Sequence, residues 1–255
     1  RLEDLDKIGR QEAEAAWAKS YDMSSDELSK SITSFDYWPN NDQIGVFLAD
    51  LATNHPDICR TFSWCQTVQG RTQHGIVISN NPNTTDVEPE VRLSSTMHGD
   101  EVPGMAMLLN FAEYLVDNYG QLGFEDVTNL VDNYEIHIMP LHNPDGNAAG
   151  NRSNANGVDL NRNFEFPAGT HSSREIENIS FMNYANNHNF VISINGHSGA
   201  LVANYPWDYT YTLAPDDAAL IELSLEYSTF NLPMYNGAFD RGITNGAEWY
   251  VALGT

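Results

Sequence analysis

The sequence predicts an α/β fold: a central mixed, largely parallel twisted sheet with helices on both faces. Two observations carry that expectation. From about residue 37 onward, strand-like and helix-like segments alternate, which builds crossover units. Three of the strands run directly into polar, glycine-containing loops. Open α/β sheets gather their functional residues in that position, beyond the carboxyl ends of the strands. With 255 residues, 41% of them hydrophobic and 18% charged, the chain has enough apolar material to bury a core.

Residues 1–36 read as an N-terminal helical extension. Leu5, Ile8, Ala15, Ala16 and Leu28 recur among charges, Ser24 or Ser25 can open a helix at SSDEL, and YWPNND breaks the pattern. Residues 37–255 form the main domain. NDQIGVFLADLATNHP is an amphipathic helix stopped by Pro56, and RTFSWCQTVQ and HGIVISN are strands with a turn at Gly70. EVRLSSTM is a third strand. In VPGMAMLLNFAEYLVDNY, Met105, Leu108, Leu109, Ala112, Leu115 and Val116 share one helical stripe. YEIHIMPL then reads as strand, SREIENISFMNYANNH as helix, NFVISIN as strand, and PDDAALIELSLEYSTF as helix.

Charge excludes one class of function. A net charge of −23 and a pI near 4.4 repel nucleic-acid phosphates and attract cationic partners. No apolar run reaches the ~18 residues of a membrane span. No signal-type segment stands before Arg1, which fits either a cytoplasmic protein or a processed one. Cys59 and Cys65 lie six residues apart on a strand, about 20 Å against a disulfide limit of ~7 Å, so no bond is expected between them.

The loops after the strands carry the chemistry. EVRLSSTM leads into His98-Gly99-Asp100-Glu101, YEIHIMPL into His142-Asn143-Pro144-Asp145-Gly146, and NFVISIN into Gly196-His197-Ser198-Gly199. His98 and Glu101, with Gly99 permitting a tight turn, can converge on one ion, and His197 arrives from another strand. Two imidazoles and one carboxylate leave a fourth position open, as catalytic zinc sites do, and nitrogen donors favour zinc over magnesium or calcium. HxxE alone arises by chance in many sequences; the strand context and the third ligand give it weight. The absence of HExxH excludes a thermolysin-like zincin. In GNRSNANGVDLNRNF, Arg152 and Arg162 stand in an Asn-rich loop of an arginine-poor chain, which suits carboxylate binding or oxyanion stabilisation.

HGDE, HNPDG, NRSNANGVDLNRNF, GHSGALVANYPWD and RGITNGAEWY together resemble the zinc metallocarboxypeptidases of the carboxypeptidase A/B kind, nearest the branch of carboxypeptidases N, E and D. The resemblance covers most of residues 60–255. It implies zinc held by His98, Glu101 and His197, with Arg152 polarising the scissile carbonyl. Asn161 and Arg162 would grip the free carboxylate of peptide or protein C-termini. Asp208 matches a residue that contacts C-terminal Lys or Arg, and reads equally well as a loop or capping residue. The implied activity is hydrolysis of the C-terminal peptide bond by a secreted or periplasmic enzyme.

In that family a general-base Glu and a substrate-capping Tyr lie beyond the segment matching NGAEWY, so the domain is expected to be truncated before its last strand and completed by a C-terminal remainder. Glu248 and Tyr250 do not fill those positions. A β-sandwich follows the catalytic domain in the N/E/D branch, and residues 37–255 do not extend to it. The alternatives are a cell-wall peptide amidase or acyl-amino-acid deacylase with a similar site, and a non-catalytic module that binds C-terminal tails. His55, His74, His137, His142, His171 and His188 are expected to be ordinary loop or surface histidines. Asn83, Asn151 and Asn178 head glycosylation sequons.

Overall fold

The computed structural model describes residues 38–84, 88–165 and 173–255. The expected helical extension over residues 1–36, and His171, lie outside the described residues.

Helix α1 (Asn41–Asn54) starts at a reciprocal capping box: Gln43 N–H donates to the Asn40 side chain at 3.0 Å, and Asn40 N–H donates to the Gln43 side chain at 2.8 Å. It buries Ile44, Phe47, Leu48 and Leu51, one stripe at helical spacing. Strand β1 (Cys59–Gln66) pairs antiparallel with β2 (Thr72–Ile78), with a register shift between Ser63 and Cys65. Both cysteines are buried and free. After β3 (Glu90–Ser95), helix α2 (Pro103–Asn118) begins on a proline, whose missing N–H needs no partner at a helix start.

Helix α3 (Glu125–Asn133) lies in a stretch whose sequence predicts no element. Its polar run EDVTNLVDN buries only Val127 and Val131, too few anchors to show a period. Strand β4 (Glu135–Met139), helix α4 (Pro144–Ala149), a short 3₁₀ turn (Leu160–Arg162), helix α5 (Ile176–Asn186) and strand β5 (Phe190–Gly196) follow. Beyond them come β6 (Ala203–Tyr205), α6 (Asp217–Thr229), α7 (Leu232–Tyr235), β7 (Ile243–Asn245) and α8 (Gly246–Trp249).

The main sheet has the order β1-β2-β4-β3-β5, and β6 and β7 form a separate parallel pair. It is mixed: β1–β2 and β2–β4 are antiparallel, whereas β3 pairs parallel with both β4 and β5. On one face Ile76, Ile78, Ile136 and Ile138 pack with the apolar sides of α1, α2 and α3. On the other face α5 lies against β1, with Tyr184 stacked on Phe62 at 4.9 Å between ring centroids. The three parallel strands therefore end at one edge, and the loops holding His98, Asn143 and His197 leave from it.

Strand β5 departs from the usual pattern. A parallel strand is normally covered on both faces, yet Val191 is 61% exposed and Ile194 44% exposed.

His142 and Asn178 are fully buried side by side behind that edge. Asn178 Nδ2 donates to Leu160 O at 2.8 Å, so its Oδ1 faces His142 Nε2 at 3.1 Å and takes the Nε2–H. The sequon at Asn178 is thus spent on packing. Among the described residues the buried His142 Nδ1 has no partner, and burial pushes the imidazole pKa down to about 4. The unfolded chain, with an ordinary histidine pKa near 6.5, binds the proton first as pH falls. The stability from keeping His142 neutral is therefore complete above pH ~6.5 and is lost progressively toward pH ~4, by up to roughly 3 kcal/mol. Denaturant unfolding of the native chain and His142→Gln across pH 4–7 checks this: the difference between the two curves should shrink toward the acid end.

Candidate active site

The HGDE loop is placed by backbone interlocking. Thr96, just past the end of β3, has φ +53°, a left-handed conformation that costs a β-branched residue about 1–3 kcal/mol. It is held there from both sides: its hydroxyl donates to Glu101 O at 3.0 Å, and its carbonyl accepts from Asn143 N at 3.1 Å. Gly99 sits flat against α4. A Cβ there would lie 2.2 Å from the backbone of Gly146 and Asn147, so no other residue fits. Asn147 Nδ2 donates to Gly99 O at 2.9 Å, and Arg152 O accepts from Gly99 N and Asn143 Nδ2.

The HNPDG loop is pinned in turn to the β1–β2 turn. Buried Asp145 accepts from Thr67 Oγ1 at 2.8 Å, Gln69 N at 3.0 Å and Arg71 Nη1 at 2.7 Å.

On this frame His98, Glu101 and His197 converge. His98 Nδ1 is 2.8 Å from Glu101 Oε1 and 3.1 Å from His197 Nδ1, and His197 Nδ1 is 2.8 Å from Glu101 Oε2. His98 is almost wholly buried, whereas His197 faces solvent. His98 Nε2 lies 3.1 Å from Asp159 Oδ1 and donates to it, which turns the Nδ1 lone pair toward Glu101. Asn195 and Asn161 flank the ring of His197 through its Nε2, at 3.2 and 3.5 Å.

Two imidazole lone pairs and a carboxylate packed this closely repel one another unless a proton or a metal cation sits between them. The ionisation of the group reflects that. Burial opposes charge on His98, but hydrogen bonds to Asp159 and Glu101 outweigh it and raise its pKa. Burial likewise works against ionised Glu101, yet hydrogen bonds from His197, His98 and the Ser198 N–H hold its carboxyl far below the usual range. The donor set fits zinc: two nitrogens and a carboxylate, with a second carboxylate on the far nitrogen of one imidazole.

Arg152 stands beside this pocket. Its Nε and Nη2 both reach Asp159 Oδ2 at 3.0 Å, and its Nη1 lies 3.2 Å from His98 Nδ1. Asp159 is a site residue that the sequence does not single out. It buttresses His98 with one oxygen and Arg152 with the other, and accepts from Asn161 N through Oδ1 at 2.9 Å. Burial opposes its charge, but hydrogen bonds from His98 and Arg152 depress its pKa strongly. Its sole sequence signal is a carboxylate inside an Asn-rich loop already rich in candidates.

Asn161 is next to His197, while Arg162 turns outward, with Nη2 3.3 Å from the Tyr250 hydroxyl and the guanidinium 5.7 Å from the Tyr250 ring centroid. Asp208 accepts from Asn204 Nδ2 at 2.8 Å and lies against α8, where a Cβ on Gly246 would come within 2.3 Å of its Oδ1.

Comparison with known proteins agrees with this geometry: residues 44–255 match the profile of the zinc carboxypeptidase peptidases. The chain belongs to that family. It is 39% identical to human (Homo sapiens) carboxypeptidase D over 237 residues, covering 82% of this chain and 17% of that protein. It is 34% identical to carboxypeptidase SOL1 of Arabidopsis thaliana, covering 91% of this chain and 49% of that protein. The chain therefore spans half or less of the length of these relatives. In fold it resembles carboxypeptidase A from Helicoverpa armigera, with a TM-score of 0.78 at 22% identity over 100% of this chain and 67% of that one. Thrombin activatable fibrinolysis inhibitor gives a TM-score of 0.74 at 19% identity, covering 90% of this chain and 67% of that one. Among the described residues no helix is long and apolar enough to cross a membrane.

The buttressing by Asp159 generates a prediction. Asp159→Asn should weaken zinc binding at the His98 site by about 10–100-fold, because the ring loses its orienting carboxylate. Competition against a chromophoric chelator measures it, and an unchanged affinity would remove Asp159 from the site's support.

Proposed function

We propose that this chain carries the zinc-binding core of an exopeptidase that hydrolyses the C-terminal peptide bond of peptides or proteins, favouring terminal Lys or Arg. The observation that carries the reading is the convergence of His98 Nδ1, His197 Nδ1 and the Glu101 carboxylate within 3.1 Å. When bound there, zinc would supply Lewis acidity and bring the pKa of a water to about 7.

The chain's own residues do the rest. Arg152, held by the Asp159 carboxylate, presents its remaining N–H groups beside the pocket, where an oxyanion develops as the scissile carbonyl is attacked. Such a donor is worth about 3–4 kcal/mol in the transition state. Asn161 and Arg162 receive the substrate's terminal carboxylate, and the Tyr250 ring and hydroxyl steady the Arg162 guanidinium. Asp208 is assigned to the basic side chain of the terminal residue. The net charge of −23 supports a cationic substrate.

Peptides ending in Lys, Arg, Leu or a C-terminal amide, incubated with the zinc-loaded protein, test the reading. Free-acid substrates should be cut and amidated ones spared, and chelation should abolish turnover until zinc is returned. Arg162→Ala should raise KM for free-acid peptides by about 10–100-fold, the range expected for losing a charged hydrogen bond. Asp208→Ala should erase the preference for Lys and Arg over Leu. Equal cleavage of amidated and free-acid peptides would contradict the assignment.

A further inference from the structure

A second cluster of metal-ligating side chains lies at the opposite edge of the sheet. Glu90 opens β3, His137 stands in the middle of β4, and His188 follows α5 just before β5 begins. Glu90 and His188 lie at the amino ends of β3 and β5, a strand length, roughly 20 Å, from the loop edge, and His137 sits further in, opposite Arg92. The ligand-capable atoms of Glu90, His137 and His188 lie within 4.8 Å of one another. His188 Nδ1 is 2.5 Å from Glu90 Oε1, and the two histidine rings meet edge to face at 4.7 Å between centroids. The sequence predicts ordinary loop or surface histidines at these two positions; the structure instead packs both against Glu90.

His137 supplies the observation that points to a ligand. The residue is fully buried, and its Nδ1 lies 2.6 Å from the Tyr184 hydroxyl. In the tautomer that donates Nδ1–H to that oxygen, Nε2 carries a bare lone pair, and among the described residues the buried Nε2 has no hydrogen-bond partner. The Glu135 carboxylate comes within 3.1 Å of it, outside hydrogen-bonding geometry, and is engaged by Arg60 at 3.0 Å. One imidazole nitrogen held by an oxygen while the other faces inward unpaired is the usual state of a metal-ligating histidine. Glu90 is oriented in turn, since its other oxygen accepts the Asn189 N–H.

We propose that Glu90, His137 and His188 form a second binding site for a borderline divalent cation, zinc by donor type, distinct from the His98–Glu101–His197 site. Two imidazoles and a carboxylate match zinc's preferences. Donors around tetrahedral zinc sit about 3.4 Å apart for bonds near 2.05 Å, so side-chain movements on the order of 1 Å close the site. Glu135 is the nearest further donor. Arg60 is matched by Glu135, while the guanidinium of Arg92 lies over the Phe181 ring at 4.3 Å and donates through Nε to Ser193 Oγ at 2.7 Å. A metal here would tie β3, β4 and the α5–β5 turn together under the poorly covered strand β5, a structural role away from the chemistry.

The test is zinc stoichiometry of the full chain, read by elemental analysis after saturation with zinc and desalting. The native protein should hold two equivalents. His188→Ala and Glu90→Gln should each hold one while retaining the native circular dichroism, and His197→Ala should also hold one by losing the other site. The second equivalent should raise the melting temperature of the native protein, and of His197→Ala on its single equivalent, but not of His188→Ala. One equivalent in the saturated native protein, or two in either His188→Ala or Glu90→Gln, would overturn the second site. Because His197→Ala isolates the second site, its zinc content and melting temperature do not depend on whether the first site hydrolyses peptides.

Discussion

Mutual repulsion among the lone pairs of His98, His197 and Glu101 is the constraint around which the rest of the site is organised. Two imidazole nitrogens and the two oxygens of a carboxylate, all bearing lone pairs, do not make contacts of 2.8–3.1 Å unless something positive is shared between them. The fold makes this arrangement by setting β3 beside β5 in parallel, so that residues following the two strands emerge side by side at one edge. An antiparallel pairing of the same strands would have sent the two histidines to opposite ends of the sheet.

Holding that arrangement requires a rigid surround, and the buried polar residues supply it. Thr96 is kept in a left-handed conformation by bonds to two different loops, Gly99 leaves no room for a side chain, and Asp145 ties the HNPDG loop to the β1–β2 turn. Asp159 then couples the metal pocket to the arginine beside it, since a single carboxylate orients the His98 ring and fixes the Arg152 guanidinium. Orientation of ligands by groups behind them is a recurring requirement of metal sites, and here the same group also positions the oxyanion donor.

What is legible in the sequence follows from local pattern. The strands with alternating or apolar runs, the stripe on α2 and the three strand-end loops are each readable within a dozen residues, and they place the sheet and the ligand set. What escapes is either weakly patterned or contact-dependent. Helix α3 carries two buried valines in nine residues, so its period is invisible. Asp159 gains its importance from His98, 61 residues away in the chain. His142, which reads as an ordinary loop histidine, is buried against Asn178, and His137 and His188 meet Glu90 through pairings that no local window contains. The β6–β7 pair joins segments about 40 residues apart, each only three residues long.

The most direct measurement is anomalous diffraction from crystals of the zinc-loaded protein, collected on both sides of the zinc absorption edge. A zinc peak is expected, bonded at about 2.0–2.2 Å to the Nδ1 atoms of His98 and His197 and to the Glu101 carboxylate. In that map the Asp159 carboxylate should remain on His98 Nε2. A map with no zinc among these three side chains, or with zinc bonded through His98 Nε2 and Asp159 instead, would contradict it.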